Sequence, residues 1–144
     1  MRLLIYAVWL GAVAALCGPA AGAGEKAEAD RDFPPRVVKT EPAMGEKEVD
    51  PALKEIKVTY DRPMTQGQNY SWMIHRDLGE YPGTKGGPEP RWENDGKTCV
   101  LAVRLRPDTV YAIGVNSVRN SGFKDADGKV AVPYVWVFKT KKAK

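Results

Sequence analysis

Residues 54–60 read KEIKVTY and set the pattern for the whole chain. The bulky side chains of Ile56, Val58 and Tyr60 fall at every second position, and the positions between them carry polar side chains. A period of two places alternate side chains on opposite faces of an extended backbone. The segment is therefore predicted to be a β-strand with one buried face.

The same alternation recurs along the chain between turn signals. Asn94-Asp95-Gly96 predicts a hairpin between residues 91–92 and the strand that begins at Thr98, whose hydroxyl is expected to face water. Eleven prolines and 14 glycines fit many short elements better than long helices. We predict an all-β sandwich of six or seven short strands. The further predicted strands span residues 36–40, 70–74, 98–105, 109–116 and 134–140.

The first 23 residues are predicted to be a signal peptide. Arg2 precedes an almost wholly apolar run over residues 3–17, and small residues at Ala21 and Ala23 suit signal peptidase. The apolar run is shorter than the about 20 residues of a membrane span, so we expect no stable membrane span after cleavage. Residues 24–32 are predicted to be a flexible charged linker, 33–141 the sandwich domain and 142–144 a basic tail.

Cys17 offers a rival interpretation, in which cleavage precedes the cysteine and its thiol is lipidated. Bacterial lipoprotein signals have a small residue immediately before the cysteine, and here that residue is Leu16. Cleavage after Ala23 is therefore favoured. It leaves Cys99 as the single cysteine of the mature chain, without an intrachain disulfide partner.

Several segments follow one order and spacing along the chain. They are Pro42 and Gly45, and residues 56–64, 105–111, 125–128 and 138–140. In these segments the chain resembles bacterial Ig-like domains of the S-layer (SbsA) type. That resemblance implies an immunoglobulin-like sandwich of about seven short antiparallel strands that acts as a spacer or adhesive unit in exported or surface proteins, with no shared catalytic residues. Tyr111 stands where such sandwiches often keep a tyrosine whose hydroxyl bonds back to nearby backbone; the alternative is one more core aromatic.

The residues do not predict an enzyme. Nucleophilic catalysis needs a nucleophile within reach of a base, but His75 is the sole histidine and Cys99 falls on the predicted inward face of a strand. No cofactor and no zinc site are predicted. Asp125 and Asp127 form a weak calcium candidate, because the twelfth position of the EF-hand pattern is Trp136 rather than Glu. An ordinary β-turn is the favoured interpretation of that segment.

The Gly- and Pro-rich segment 75–92 holds the candidate ligand-binding residues, which are Tyr81, Trp92 and His75. Aromatic side chains in and beside a long loop often mark interaction sites, here for a glycan or a peptide. Residues 83–87 lack the Gly-Lys-Ser/Thr and the following helix of a P-loop, so they are expected to form a flexible loop. The formal net charge of +4 is modest, and nucleic acid is not an expected partner.

We therefore expect a non-catalytic exported Ig-like module for protein interaction, adhesion or structural spacing at the cell envelope. Its partner is expected to be an envelope protein or glycan whose identity the residues leave open. Two alternatives remain: an envelope glycan-binding protein that uses the loop aromatics, and a small secreted enzyme inhibitor. The inhibitor requires segment 75–92 to be ordered and projecting. Periplasmic, cell-surface and secreted locations are all compatible with export.

The mature protein is expected to begin at Gly24, because Ala21 and Ala23 satisfy the small-residue preference of signal peptidase. Mass spectrometry of the protein recovered from an exporting bacterial host checks this. A lipid-modified chain that begins at Cys17 would favour the lipoprotein interpretation instead, and a chain that retains residues 1–23 would contradict both.

Overall fold

The computed structural model describes residues 32–143. The predicted signal peptide, linker residues 24–31 and Lys144 lie outside the described residues. Within the described part, no helix has the length and apolar character to cross a membrane. The strands are β1 Val37–Glu41, β2 Glu55–Tyr60, β3 Trp72–Ile74, β4 Arg91–Trp92, β5 Thr98–Ala102, β6 Val110–Val115 and β7 Tyr134–Lys139.

The strands form two antiparallel sheets. One sheet has four strands in the order β1-β2-β5-β4, and the other has three in the order β3-β6-β7. These orders match the ABED and CFG sheets of a constant-type immunoglobulin domain. The predicted fold class is confirmed, because the alternation buries one face of each sheet against the other.

Two strands lose two or more residues at one end relative to their sequence patterns. Strand β5 ends at Ala102, where its ladder with β2 ends; Val103 donates to Lys54, just before β2, and forms an isolated bridge with Gly83. Strand β3 begins at Trp72 rather than Tyr70. The alternation identifies the face that a residue belongs to, but not the point at which its strand loses its partner.

The predicted hairpin between β4 and β5 is present. Gly96 takes a φ of +64°, which a residue with a Cβ rarely adopts. Asp95 stabilises the turn by accepting the backbone N–H groups of Lys97 at 2.8 Å and Thr98 at 2.9 Å. The Thr98 hydroxyl donates to Asp95 at 2.8 Å, and the residue is only 5% exposed. Thr98 is therefore part of the turn and does not face water.

The core is richest in aromatic rings at the end of the sandwich where β2 finishes. Phe123 is 1% exposed and its ring packs against four others. Trp136, with no exposed surface, extends the cluster into the three-stranded sheet. Aromatic side chains bury large apolar areas, so this cluster is a major source of stability. The rings in contact with Phe123 are those of Tyr60, Tyr70, Trp72 and Trp92.

Tyr111 fulfils both of the roles considered for it. Its ring is 2% exposed and stacks on Phe138 at a centroid distance of 5.5 Å. Its hydroxyl oxygen accepts the backbone N–H of Arg106 at 2.7 Å. The bond ties the turn that precedes β6 to the strand itself, as a tyrosine corner does.

The free edge of β7 is covered by the segment that follows β1. Gly45 donates to the Val137 carbonyl at 2.8 Å, Lys139 donates to Glu46 at 2.7 Å, and Val49 donates to Lys139 at 3.1 Å. Val49 and Thr140 form a parallel bridge. Covering an edge in this way removes a template for pairing with other chains.

Replacing Tyr111 by Phe is expected to lower the free energy of unfolding by about 0.5–1.5 kcal/mol, because the ring keeps its packing while the Arg106 N–H loses its acceptor. Urea unfolding followed by tryptophan fluorescence measures the change. Tyr134→Phe is the control, because it removes a hydroxyl from a half-buried ring that packs on Trp136. Equal stability of Tyr111→Phe and wild type would contradict the role of the bond.

Candidate functional site

Segment 75–92 is held against both sheets at its centre. Glu80 exchanges two backbone hydrogen bonds with β6, donating to the Val110 carbonyl and accepting from Ala112, both at 2.9 Å. Gly83 bridges Val103, beyond the end of β5. Residues 80–83 therefore cross from the three-stranded sheet to the four-stranded sheet.

A tight turn lies on each side of this crossing. In the first, the N–H groups of Leu78 and Gly79 donate to the His75 carbonyl at 3.0 and 3.2 Å. In the second, Gly87 donates to Thr84 at 3.0 Å, and Gly86 takes a φ of +70°. Residues 84–87 therefore form a defined turn within the predicted loop.

These two turns and the start of β6 enclose an open groove of about 980 Å³, lined by side chains from residues 74–85 and 108–110. We call it the 74–85 groove. It lies at the end of the sandwich where β6 begins and β7 ends. A volume in this range suits a small-molecule or oligomeric ligand.

The acidic side chains of the groove have basic partners. Glu80 forms an ion pair with Arg106, and Asp108 lies 2.7 Å from Lys139. The hydrogen bond from Lys139 holds the pKa of Asp108 below its usual range. Asp108 is therefore charged at neutral pH, and each of the two carboxylates lies against a cation.

The basic side chains that line the groove lack such partners. Arg76 and Lys85 are exposed, one on each turn. Among residues 32–143, neither forms an ion pair with an acidic side chain. The uncompensated charge of the groove is therefore positive.

Tyr81 forms part of the groove wall and is half-buried against the core. Its ring lies directly on Gly83, where an added Cβ would stand 2.4 Å from ring carbon Cε1. Burial raises the pKa of the Tyr81 hydroxyl, so the phenol remains neutral across the physiological range. Glycine at 83 is needed for the ring to rest against the backbone.

Trp92 lies at the opposite end of the sandwich from Tyr81. Its ring packs on Tyr60 at 6.3 Å and on Phe123 at 6.0 Å, and Trp92 is half-buried. Tyr81 instead lies beside Gly83, near the other end of β5. The structure does not bring these two candidate residues into one site.

His75 lies on the outer face of the three-stranded sheet. A Cβ added to Gly114 would stand 2.7 Å from its Nε2 atom, so the imidazole covers that glycine. Cys99 belongs to the other sheet and points into the core with no exposed surface. The three-stranded sheet separates the two side chains, so they form no nucleophile–base pair.

Asp125 is used by its own turn. It is 3% exposed, and its Oδ1 atom accepts the N–H groups of Asp127 at 3.1 Å and Lys129 at 2.9 Å. Its Oδ2 atom lies 3.7 Å from Arg62 Nη1. Asp127 is exposed. Within residues 32–143, no three His, Cys, Asp or Glu side chains are grouped so as to hold a metal ion.

The residues that line the groove belong to no sequence motif. In the sequence, Arg76 and Lys85 look like ordinary loop cations, and Val110 looks like the start of a strand. The one local signal is the Gly86-Gly87 pair, which indicates a turn that presents the preceding lysine. The pairing of Glu80 with Arg106 joins residues 26 positions apart and cannot be read from the chain.

Cys99 is expected to resist thiol reagents while the protein is folded. Burial raises its pKa from 9.0 to about 12. The reactive thiolate is therefore about a thousandfold scarcer at pH 8 than in the unfolded chain. Ellman's reagent tests this in a Cys17→Ser variant, before and after addition of guanidinium. Rapid labelling of the native protein would contradict this.

The folded state binds the Cys99 thiol proton more tightly than the unfolded state does, so the free energy of unfolding should fall as pH rises above 9.

Two solved structures share this fold. The crystal structure of the S-layer protein rSbsC(31-844) matches with a TM-score of 0.53 and 18% identity, over 84% of this chain and 16% of that one. The N-terminal part of the bacterial S-layer protein SbsC matches with a TM-score of 0.55 and 20% identity, over 84% of this chain and 27% of that one. The chain thus spans only a minor part of either protein.

No curated protein matches the chain. The family model described as bacterial Ig-like domain matches residues 31–140, which include all seven strands. The strand orders of the two sheets agree with that description. The chain belongs to the bacterial Ig-like domain family.

Proposed function

We propose that this protein is a non-catalytic, exported module that spaces or joins other molecules at the cell envelope. The observation that carries the proposal is that the polypeptide enters the sandwich at one end and leaves it at the other. Pro35, before β1, accepts the N–H of Val132, before β7. Lys141, after β7, donates to Val49 at the opposite end. The six residues of β7 separate these points by about 20 Å.

The hydrogen bonds near the exit point suit a load along this axis. Residues 45–49 run parallel to the second half of β7 and share four backbone bonds with residues 137–141. Pulling the two ends of the sandwich apart would slide these segments past each other. All four bonds then bear the force together, whereas a peeled strand loses its bonds one at a time.

The outer faces of the two sheets differ in character. On the four-stranded sheet, ion pairs join Lys57 to Glu93 and Arg91 to Glu55. On the three-stranded sheet, alternation turns small and apolar side chains away from the core, but neighbouring segments cover them. Ala112 and Gly114 are buried, and Met73, Val135 and Val137 are half-buried. These five residues therefore form no open apolar patch, which suits a spacer that makes no contact through this face.

Two further observations support a non-catalytic, exported role. The Cys99 thiol is buried and protonated, and His75 lies across a sheet from it, so neither activates the other. The apolar run over residues 3–17 suits export. The two solved structures that share this fold are of S-layer proteins. Periplasm, cell surface and medium remain the candidate destinations.

Single-molecule force spectroscopy with handles at residues 32 and 143 tests the load-bearing role. Val49→Pro removes one of the four bonds to residues 137–141. We expect the unfolding force to fall by about a quarter, because the remaining bonds share the load. Circular dichroism first establishes that the variant keeps its strands.

Ala126→Pro is the matched control. Ala126 is exposed and occupies the second position of the turn closed by Gly128 N–H and the Asp125 carbonyl at 3.0 Å, where proline is favoured. This variant is expected to unfold at the wild-type force. If both variants unfold at the same force as wild type, the segment 45–49 carries no load and the spacer proposal fails.

A further inference from the structure

We propose that the 74–85 groove binds an acidic saccharide, a sugar chain that bears carboxylate groups. The proposal rests on the juxtaposition, at one concave surface, of the half-buried Tyr81 with two cations, Arg76 and Lys85, that have no ion-pair partner among residues 32–143. It goes beyond the spacer role, because a spacer needs no ligand in this groove. Failure of either proposal leaves the other standing.

The charge balance selects an anionic ligand. The groove carboxylates Glu80 and Asp108 are each paired with a cation outside the lining, Arg106 and Lys139 respectively. The lining cations are not paired within the described part of the chain. The two lining carboxylates are already neutralised by Arg106 and Lys139, so Arg76 and Lys85 remain available to a ligand. An anion gains from both free cations without displacing an existing ion pair.

The shape and the apolar surface select a saccharide among anions. The exposed side chains of Ile74 and Val110 line the groove at 50% and 41% exposure, and half-buried Tyr81 lines it with them. The C–H faces of sugar rings pack on such surfaces, as apolar ligand surface does in most binding clefts. An inorganic phosphate would use the cations but leave this apolar lining without a partner.

The positions of the two cations suit an extended ligand. Arg76 projects from the turn that precedes the crossing strand 80–83, and Lys85 from the turn that follows it. A ligand that contacts both must lie along residues 80–83, and so across Tyr81. A saccharide of two or three units with a carboxylate on successive rings has this form. Nucleic acid is disfavoured, because the chain carries a net charge of only +4.

Isothermal titration calorimetry with trigalacturonate tests the proposal on the protein that comprises residues 24–144, since the signal peptide is expected to be removed. The comparison ligand is the same trimer with its carboxylates reduced to hydroxymethyl groups. We expect about two- to thirtyfold tighter binding of the acidic trimer in low salt, because two exposed ion pairs together contribute this much. Failure of wild type to bind the acidic trimer would overturn the proposal, and so would equal affinity for the two trimers.

Variants locate the site. The double variant Arg76→Gln/Lys85→Gln is expected to lose about tenfold in affinity for the acidic trimer and little for the reduced one. Lys47→Gln/Arg119→Gln is the control, since it removes two exposed cations outside the groove. An equal loss in both double variants would mean that net charge alone attracts the ligand, which would overturn the proposed site.

The variant Val110→Glu provides a second test of the site if the Arg76→Gln/Lys85→Gln variant does not fold. Val110 points outward at the start of β6, so a carboxylate is accommodated there without entering the core. The new charge is expected to reduce affinity for the acidic trimer by on the order of tenfold. Tyr81→Phe retains the ring and is expected to bind as wild type does. Unchanged binding in Val110→Glu would exclude this groove.

Discussion

The packing of aromatic rings between the two sheets is the interaction on which the rest of this sandwich depends. Phe123 contacts rings from both sheets, and Trp136 fills the space beside it with no exposed surface. The chain has no disulfide within the described domain, where Cys99 is a free, buried thiol. Apolar burial must therefore offset most of the conformational entropy lost on folding. Polar chemistry is left to the loops and to the outer faces of the sheets.

The shape of the 74–85 groove depends on hydrogen bonds that a core residue and its strand make. The hydroxyl of Tyr111 holds the turn at Arg106, and the next strand then begins at Val110, where it bonds to Glu80. One core residue thus fixes the relative positions of two groove walls. Loops held by such bonds bind ligands with less loss of conformational entropy than free loops do. The core therefore determines the conformation of segment 75–92.

The strands could be predicted from the sequence because a period of two is local, and each segment carries its own signal. The groove could not, because its properties arise between segments. Tyr81 and Trp92 are 11 residues apart in the chain, yet the crossing at residues 80–83 sends them to opposite ends of β5. In the sequence, Arg76 and Arg106 both look like exposed loop arginines. In the structure, Arg106 forms an ion pair with Glu80 and Arg76 does not. Such pairings follow from topology, which residue spacing does not encode.

The spacer role and the groove do not compete for the same contacts. A load applied along the sandwich passes from the region of Pro35 through the bonds between residues 45–49 and β7. The groove lies beside β3 and the start of β6, and its residues Asp108 and Thr109 bond to Lys141 and Thr140 at the end of β7. None of these bonds is among the four that join residues 45–49 to residues 137–141. One domain can therefore hold a saccharide at its exit end while it keeps a fixed distance between its two ends.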